Sequence, residues 1–122
     1  MNHKVFLAQF DAIKKLASEG PCVMVGRCAD YALSEYKDCF SVFVHADIDW
    51  RINRLSQKHN KTAKEAKDMI NKTDKSRSSY YNYYTNKKWG AASSYNLCVD
   101  SSKLGIDGAA KAIIQALRFL IP

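Results

Sequence analysis

A chain of 122 residues, 47% apolar and 25% charged, has enough length for one moderate core and the composition of neither a disordered nor a fibrous protein. Its uncharged stretches are far too short for a membrane span, and "MNHKVFLAQFDAIKKL" lacks the unbroken apolar run of a secretory leader, so a cytoplasmic protein with no membrane partner is expected. The formal net charge of +7 favours an anionic partner, either a polymer or a nucleotide.

In chain order, Val5, Phe6, Phe10, Ile13, Leu16 and Ala17 recur at helical spacing, and Gly20 and Pro21 end that pattern. "CVMV" at 22–25 is short, wholly apolar and flanked by Pro21 and Gly26, as a strand buried on both faces would be. "SVFV" at 41–44 and "LCV" at 97–99 repeat the type. Between the second and third of these runs, "DIDWRINRLSQKH" reads as a helix capped by Asp47 or Asp49, with Ile48, Ile52 and Leu55 on one stripe and Arg51 and Arg54 on another. "TAKE" at 62–65 is a capping box that opens a further helix through Ala66, Met69, Ile70 and Thr73. The last helix is expected from about Ile106, with Ile113, Ile114, Leu117 and Leu120 inward.

Short buried strands alternating with helices predict a parallel, three-stranded, three-layer α/β/α sheet within a single domain. Three strands are few for this class, which points to a partial domain or to one that needs a partner. Ligands of such sheets bind beyond the carboxyl ends of the strands. The segments placed there are "GRCAD" (26–30), "HAD" (45–47) and "DSSK" (100–103), so the site is expected among them.

The four cysteines, Cys22, Cys28, Cys39 and Cys98, form no CxxC pair and read as reduced thiols; no metal site is expected from them. Gly26 allows a tight turn, and Arg27 beside it offers a planar fork suited to phosphate or carboxylate; pairing with Asp30 is the structural alternative. Arg51 and Arg54 share a helical face, which could equally be solvated and balanced by Asp47 and Asp49. His45 at a strand end has no partner placed by the sequence. "DKSRSSYYNYYTNKKWG" at 74–90 divides its tyrosines between core and surface, with its cations on a separate face. No GxSxG, HExxH or GxxxxGK[ST] occurs, so neither a nucleophile elbow nor a Walker-type phosphate loop lies in these residues.

Taken in order, "GPCVMVGRCADYAL", "SVFVHADIDWRINRL", "AKDMINKTDKSRSSYYNYYTNKKWG" and "YNLCVDSSKLGIDGAAKAI" resemble the later two thirds of the cytidylate kinase-like proteins, which are P-loop nucleoside monophosphate kinases. The resemblance covers nearly the whole chain and implies a partial domain over 1–122, with a lid at about 72–90 and without the Walker region. It implies phosphoryl transfer from ATP, with Mg2+, to a nucleoside monophosphate such as CMP. By position, Arg27 would hold the acceptor's phosphate with Asp30 nearby, although Cys28 stands where the family has the acid. Arg51 and Arg54 would lie on the donor nucleotide, Lys75 and Arg77 would be the lid cations that act in catalysis, and Ser101, Ser102 and Lys103 would lie near the donor base. Ser76 departs from the family's acidic lid position.

Two further readings stand beside the transferase. One is a non-catalytic nucleotide-binding or regulatory module. The other, less favoured, is a nucleic-acid binder that stacks bases on Tyr81, Tyr83 and Trp89, with Lys87 and Lys88 on phosphates. An unpaired sheet edge would also permit homo-oligomerisation.

Overall fold

The computed structural model describes residues 3–120 and divides into two compact units, residues 1–40 and 41–122. Unit 1 holds helix α1 (His3–Glu19) and the single turn α2 (Ala29–Ala32). Unit 2 holds β1 (Val42–His45), α3 (Ile48–His59), α4 (Ala63–Thr85), a 3-10 turn at Ala92–Ser94, β2 (Leu97–Asp100) and α5 (Ser101–Arg118). The class is mixed α/β, as the alternation of apolar runs and helices predicts.

In unit 1, α1 buries the stripe read from its spacing only in part. Phe6 and Ile13 are buried, whereas Val5 and Leu16 are exposed. Ile13, Ala32 and Leu33 form a small core, against which Phe10, Ala17, Met24, Ala29 and Cys39 pack. The Phe10 ring also lies 6.0 Å from Tyr31 and carries the Lys14 ammonium at 4.7 Å. So small a core cannot draw in every apolar residue that the sequence offers.

The expected strand at 22–25 is not formed. Val23 and Val25 are 94% and 88% exposed, and among the described residues no strand of unit 1 is present to pair with them. A strand exists only through its ladder, which is a non-local property that an apolar run does not encode. The sheet therefore has two strands where three are expected.

Immediately after this segment the backbone runs left-handed over three successive residues, Gly26, Arg27 and Cys28, at φ of 69°, 61° and 55°. Glycine takes this conformation freely, but Arg27 and Cys28 each give up on the order of 1 kcal/mol to hold it. The Ala29 amide, donating to the Gly26 carbonyl at 3.2 Å, closes the turn and leads into α2.

Burial pushes the Cys28 thiol up to about 11, with the Asp30 carboxylate adding to the shift, and Cys39 is raised by the same two influences. Cys22 is exposed. In a Cys98→Ser background, which removes the fourth, half-buried thiol, titration with a chromogenic disulfide at pH 8 should therefore show a fast phase from Cys22 that Cys22→Ser removes, with Cys28 and Cys39 reacting slowly. A fast phase that survives both substitutions would contradict the covering of Cys28 and Cys39.

Unit 2 is built on a parallel pair of strands in the register Val42↔Leu97, Phe43↔Cys98, Val44↔Val99 and His45↔Asp100. Ser41 and Asn96 lock its entrance. The Ser41 carbonyl accepts from the Asn96 and Leu97 amides, and the Asn96 side-chain oxygen accepts from the Ser41 amide at 2.9 Å. Both strands were expected to be buried on two faces, yet only Val99 is fully buried and Val44 is half exposed. A two-stranded sheet has too few neighbours to be covered throughout.

The crossover between the strands is the α3–α4 pair. Asp47 caps α3, its carboxylate accepting from the Asp49 amide at 3.1 Å. Asn60 ends α3 in the left-handed conformation common after helices. At the start of α4, the Thr62 hydroxyl accepts from the Glu65 amide at 3.2 Å, and the Glu65 carboxylate accepts from the Thr62 amide at 3.0 Å. These bonds hold the Glu65 carboxyl below the usual carboxylate range.

On α4, Ala66, Ile70 and Tyr81 are buried, whereas Met69 is exposed. Helix α5 is interrupted at Gly105 (φ 77°, ψ 165°), so its long part starts at Ile106, as expected. Its inward set is smaller than predicted. Ile113 and Leu117 are partly covered, but Ile114 and Leu120 are exposed, and Ile121 lies outside the described residues. Among the described residues no helix is long and apolar enough to cross a membrane.

Candidate functional site

The carboxyl ends of β1 and β2 lie side by side, because the register pairs His45 with Asp100. Asp100 opens the first turn of α5 by accepting from the Ser102 and Lys103 amides at 2.9 and 3.3 Å and from the Ser102 hydroxyl at 2.5 Å. The Ser102 hydroxyl in turn accepts from the Asp47 amide at 2.9 Å, while the Ser101 hydroxyl donates to the His45 carbonyl at 3.2 Å. One hydroxyl thus bridges the segments that follow both strands. The Ser102 hydroxyl first, and then the helix amides, hold the Asp100 carboxyl below its usual range, with His45 adding to the effect.

This network gives the predicted nucleotide-side residues distinct positions. Ser101 is buried and its hydroxyl is committed to the backbone, and Ser102 is a bridge between loops, whereas Lys103 is exposed. Asp100 is the N-cap of α5, its side chain accepting from the Ser102 and Lys103 amides.

Arg51 is also committed. Its two terminal nitrogens reach the two carboxylate oxygens of Asp74 at 2.8 and 2.7 Å, fork to fork. Those hydrogen bonds raise the guanidinium above its ordinary value, with partial burial acting the other way. The sequence offered Asp47 and Asp49 as balancing acids, and the partner is instead 23 residues away on α4. Arg54, one turn along α3, is exposed and lies over the Trp50 ring at 5.6 Å.

Among the lid cations Arg77 has an unusual place. Ala66, Ile70, Arg77 and Tyr81 are spaced by four, seven and four residues and so share one line along α4. The other three on that line are buried, and Arg77 is exposed. Its level along the helix can be bracketed. The three-residue connection makes α3 and α4 antiparallel neighbours, with Asp74 gripping the first turn of α3, and Tyr81 stacks on Tyr95, which in turn stacks on Phe43 of β1. Arg77 lies about 4.5 Å along the axis from Asp74 and about 6 Å from Tyr81. It therefore falls between the contact with the start of α3 and the aromatic contacts on the sheet. Lys75 is exposed two residues before it.

The far end of the tyrosine-rich stretch is structural. The Thr85 hydroxyl donates to the Tyr81 carbonyl at 2.7 Å, the Trp89 amide donates to the Asn82 side chain at 2.7 Å, and the Trp89 ring meets Phe43 edge-on at 5.3 Å. Of the three residues that could serve as stacking platforms, Tyr81 is in the core and Trp89 is packed on the sheet. Tyr83, 76% exposed, stands edge-on to Tyr84 at 4.8 Å. Sequence reasoning did not foresee Asp74 or Asn82 as partners, since each acts through contacts that spacing does not reveal.

In unit 1, Arg27 is exposed on the left-handed turn and Asp30 lies in the first turn of α2, where its charge acts on Cys28. The charge is divided unevenly between the units. Residues 1–40 hold five Lys/Arg and five Asp/Glu, and residues 41–122 hold fourteen and seven, so the whole excess of +7 belongs to unit 2. Among the described residues no three His, Cys, Asp or Glu side chains gather where they could hold a metal ion.

Comparison with known proteins agrees with this architecture. The profile of the cytidylate kinase-like family matches residues 1–103. A crystal structure of an uncharacterized protein from Eubacterium ventriosum superposes with a TM-score of 0.91 at 32% identity, covering 95% of this chain. This chain spans 66% of the length of that one. No curated protein matches. With the family profile extending over most of its residues, the chain belongs to the cytidylate kinase-like family.

Proposed function

We propose that this chain is the nucleotide-handling part of a phosphotransferase that moves the γ-phosphoryl group of ATP to the phosphate of a nucleoside monophosphate such as CMP. The observation that carries this reading is Arg77, an exposed guanidinium on a line of α4 whose other members, Ala66, Ile70 and Tyr81, are buried. Cations in such a position neutralise charge on the equatorial oxygens as the bond to ADP breaks and the bond to the acceptor oxygen forms. In unit 2, Arg77 acts on the transferring phosphate and Arg54 and Lys103 on the donor nucleotide, with Lys75 on another face of α4; in unit 1, Arg27, with Asp30 near it, is the candidate for an acceptor's phosphate. Ser101 and Ser102 position the loops rather than touch the base. Mg2+ would be held chiefly by the phosphates of ATP, since this ion usually takes only one or two protein carboxylates.

The concentration of positive charge on unit 2 supports an anionic ligand there. A phosphate cradle of the GxxxxGK[ST] type is absent from these 122 residues, so binding is assigned to the chain alone and transfer to an assembly that supplies the cradle. In that assembly the exposed apolar residues 22–25 would gain a neighbouring strand.

Calorimetric titration with ATP, CMP and single-stranded DNA tests the reading. Saturable binding of ATP and CMP, without ADP release by the chain alone, is expected. Tight, steeply salt-dependent DNA binding with no nucleotide signal would overturn it in favour of the nucleic-acid reading.

A further inference from the structure

The sheet of unit 2 is open on one side. Among the described residues only β2 pairs with β1. The carbonyls of Ser41 and His45 both turn toward β2, the first accepting from the Asn96 and Leu97 amides and the second from the Ser101 hydroxyl. Backbone groups alternate in direction along a parallel strand, so the N–H and C=O of Val42 and Val44 point to the free edge.

The side chains around that edge are open as well. Phe43 turns its ring to Trp89 and Tyr95, which leaves Val42 and Val44 on the opposite face, where α5 packs along both strands. Val44 and Val99 are partners in the register and share that face, yet Val99 is buried and Val44 is 51% exposed. The cover given by α5 therefore stops short of β1. On α5 itself, Ala110 follows the buried Ala109 by a rotation of about 100° and lies on one line with Ile106 and Ile114, all three exposed. A crossover between parallel strands is right-handed, so with α5 in front of the sheet, α3 and α4 behind it and the strands pointing up, the free edge of β1 is on the right. As α5 runs down from the strand ends, the clockwise rotation of a right-handed helix carries its open line from Ala109 to that same side. A backbone edge, a half-covered valine and an apolar helix row thus face one gap.

We infer that the free edge of β1 is a docking surface for one further strand, carried by polypeptide outside these 122 residues, which pairs with Val42 and Val44 and lays apolar side chains beneath Ile106 and Ile114. The inference stands on the sheet alone and goes beyond the nucleotide reading. Polypeptide of sufficient length exists in a relative: the match to the Eubacterium ventriosum protein covers 95% of this chain but only 66% of that one. A second copy of this chain fits the gap less well. Residues 41–122 hold fourteen Lys/Arg and seven Asp/Glu, so two such units meeting edge to edge bring like charges together.

The test presents the full chain with the part of the Eubacterium ventriosum protein that has no counterpart in it. That part is titrated calorimetrically as a separate polypeptide, or co-expressed and co-purified where it is insoluble alone, and exchange of the β1 amides is followed by nuclear magnetic resonance. Saturable binding is expected, with the Val42 and Val44 amides becoming protected. Val44→Pro removes the outward N–H at a place where an edge strand accepts proline, and Ile114→Lys sets a charge in the gap. Each should weaken binding by about tenfold or more, while Tyr83→Lys on α4 leaves it unchanged. No binding, or binding that neither substitution weakens, refutes the docking. Should Val44→Pro fail to fold, Ile114→Lys and the wild-type amide exchange decide. Sedimentation of the chain alone addresses the other occupant: a dimer that Ile114→Lys dissociates would put a second copy at this edge and overturn the inference.

Discussion

Replacing Tyr81 with alanine is expected to destabilise the protein by about 3–5 kcal/mol, as truncation of a large buried ring does. The same change at Tyr83 should alter stability by less than about 0.5 kcal/mol. The two tyrosines are two residues apart and chemically identical, but Tyr81 is 6% exposed and Tyr83 76%. Tyr81 stacks on Tyr95, and through it on Phe43 of β1, so its loss would leave a void between α4 and the sheet. Denaturant melts of the two variants measure the difference. Equal, small costs would show that this stretch does not hold α4 to the sheet and would return its rings to the role of base-stacking platforms.

The second large effect is expected at Arg77. Arg77→Gln should weaken ATP binding by about tenfold or more, the usual loss when one charged hydrogen bond to phosphate is removed, and should leave the melting temperature almost unchanged. Exposure is what separates the two readouts. An exposed guanidinium contributes little to the folded state, so a loss of affinity without a loss of stability can come only from the ligand. Arg77→Lys, which keeps the charge and gives up the planar fork, should recover part of the affinity. A fall in stability as large as the fall in affinity would mean that Arg77 serves the fold.

Much of the local structure could be read directly. Thr62 and Glu65 form the capping box that their spacing predicts, Asp47 caps α3, and the last long helix starts at Ile106. Each depends on residues within one turn of one another, which is the range over which sequence spacing carries physical information. The alternation of helices with apolar runs likewise predicted a parallel pairing that the structure contains between β1 and β2.

What could not be read is non-local. "CVMV" has the composition of a buried strand, but Val23 and Val25 are open because composition does not supply a partner. Ile114 and Leu120 fit the inward stripe of α5 and are exposed, since a helical period gives a direction and not a covering neighbour. The Arg51–Asp74 pair joins residues 23 positions apart, and the left-handed backbone at Arg27 and Cys28 goes against the ordinary preference of those residues. Of the candidate site, the cations were legible by type. Their engagement was not, so that Arg77 and Lys75 remain available whereas Ser101, Ser102 and Arg51 are tied to other groups.

The break at Gly105 gives α5 a mechanical character that a continuous rod would lack. Residues 101–104 are fastened to the strand ends through Asp100, Ser101 and Ser102, and the long segment from Ile106 onward leaves at an angle set by a conformation open essentially to glycine alone. The joint sets the two parts on different axes, so that the short part serves the hydroxyl bridge to Asp47 while the long part buries Ala109 and leaves Ile114 and Leu120 open.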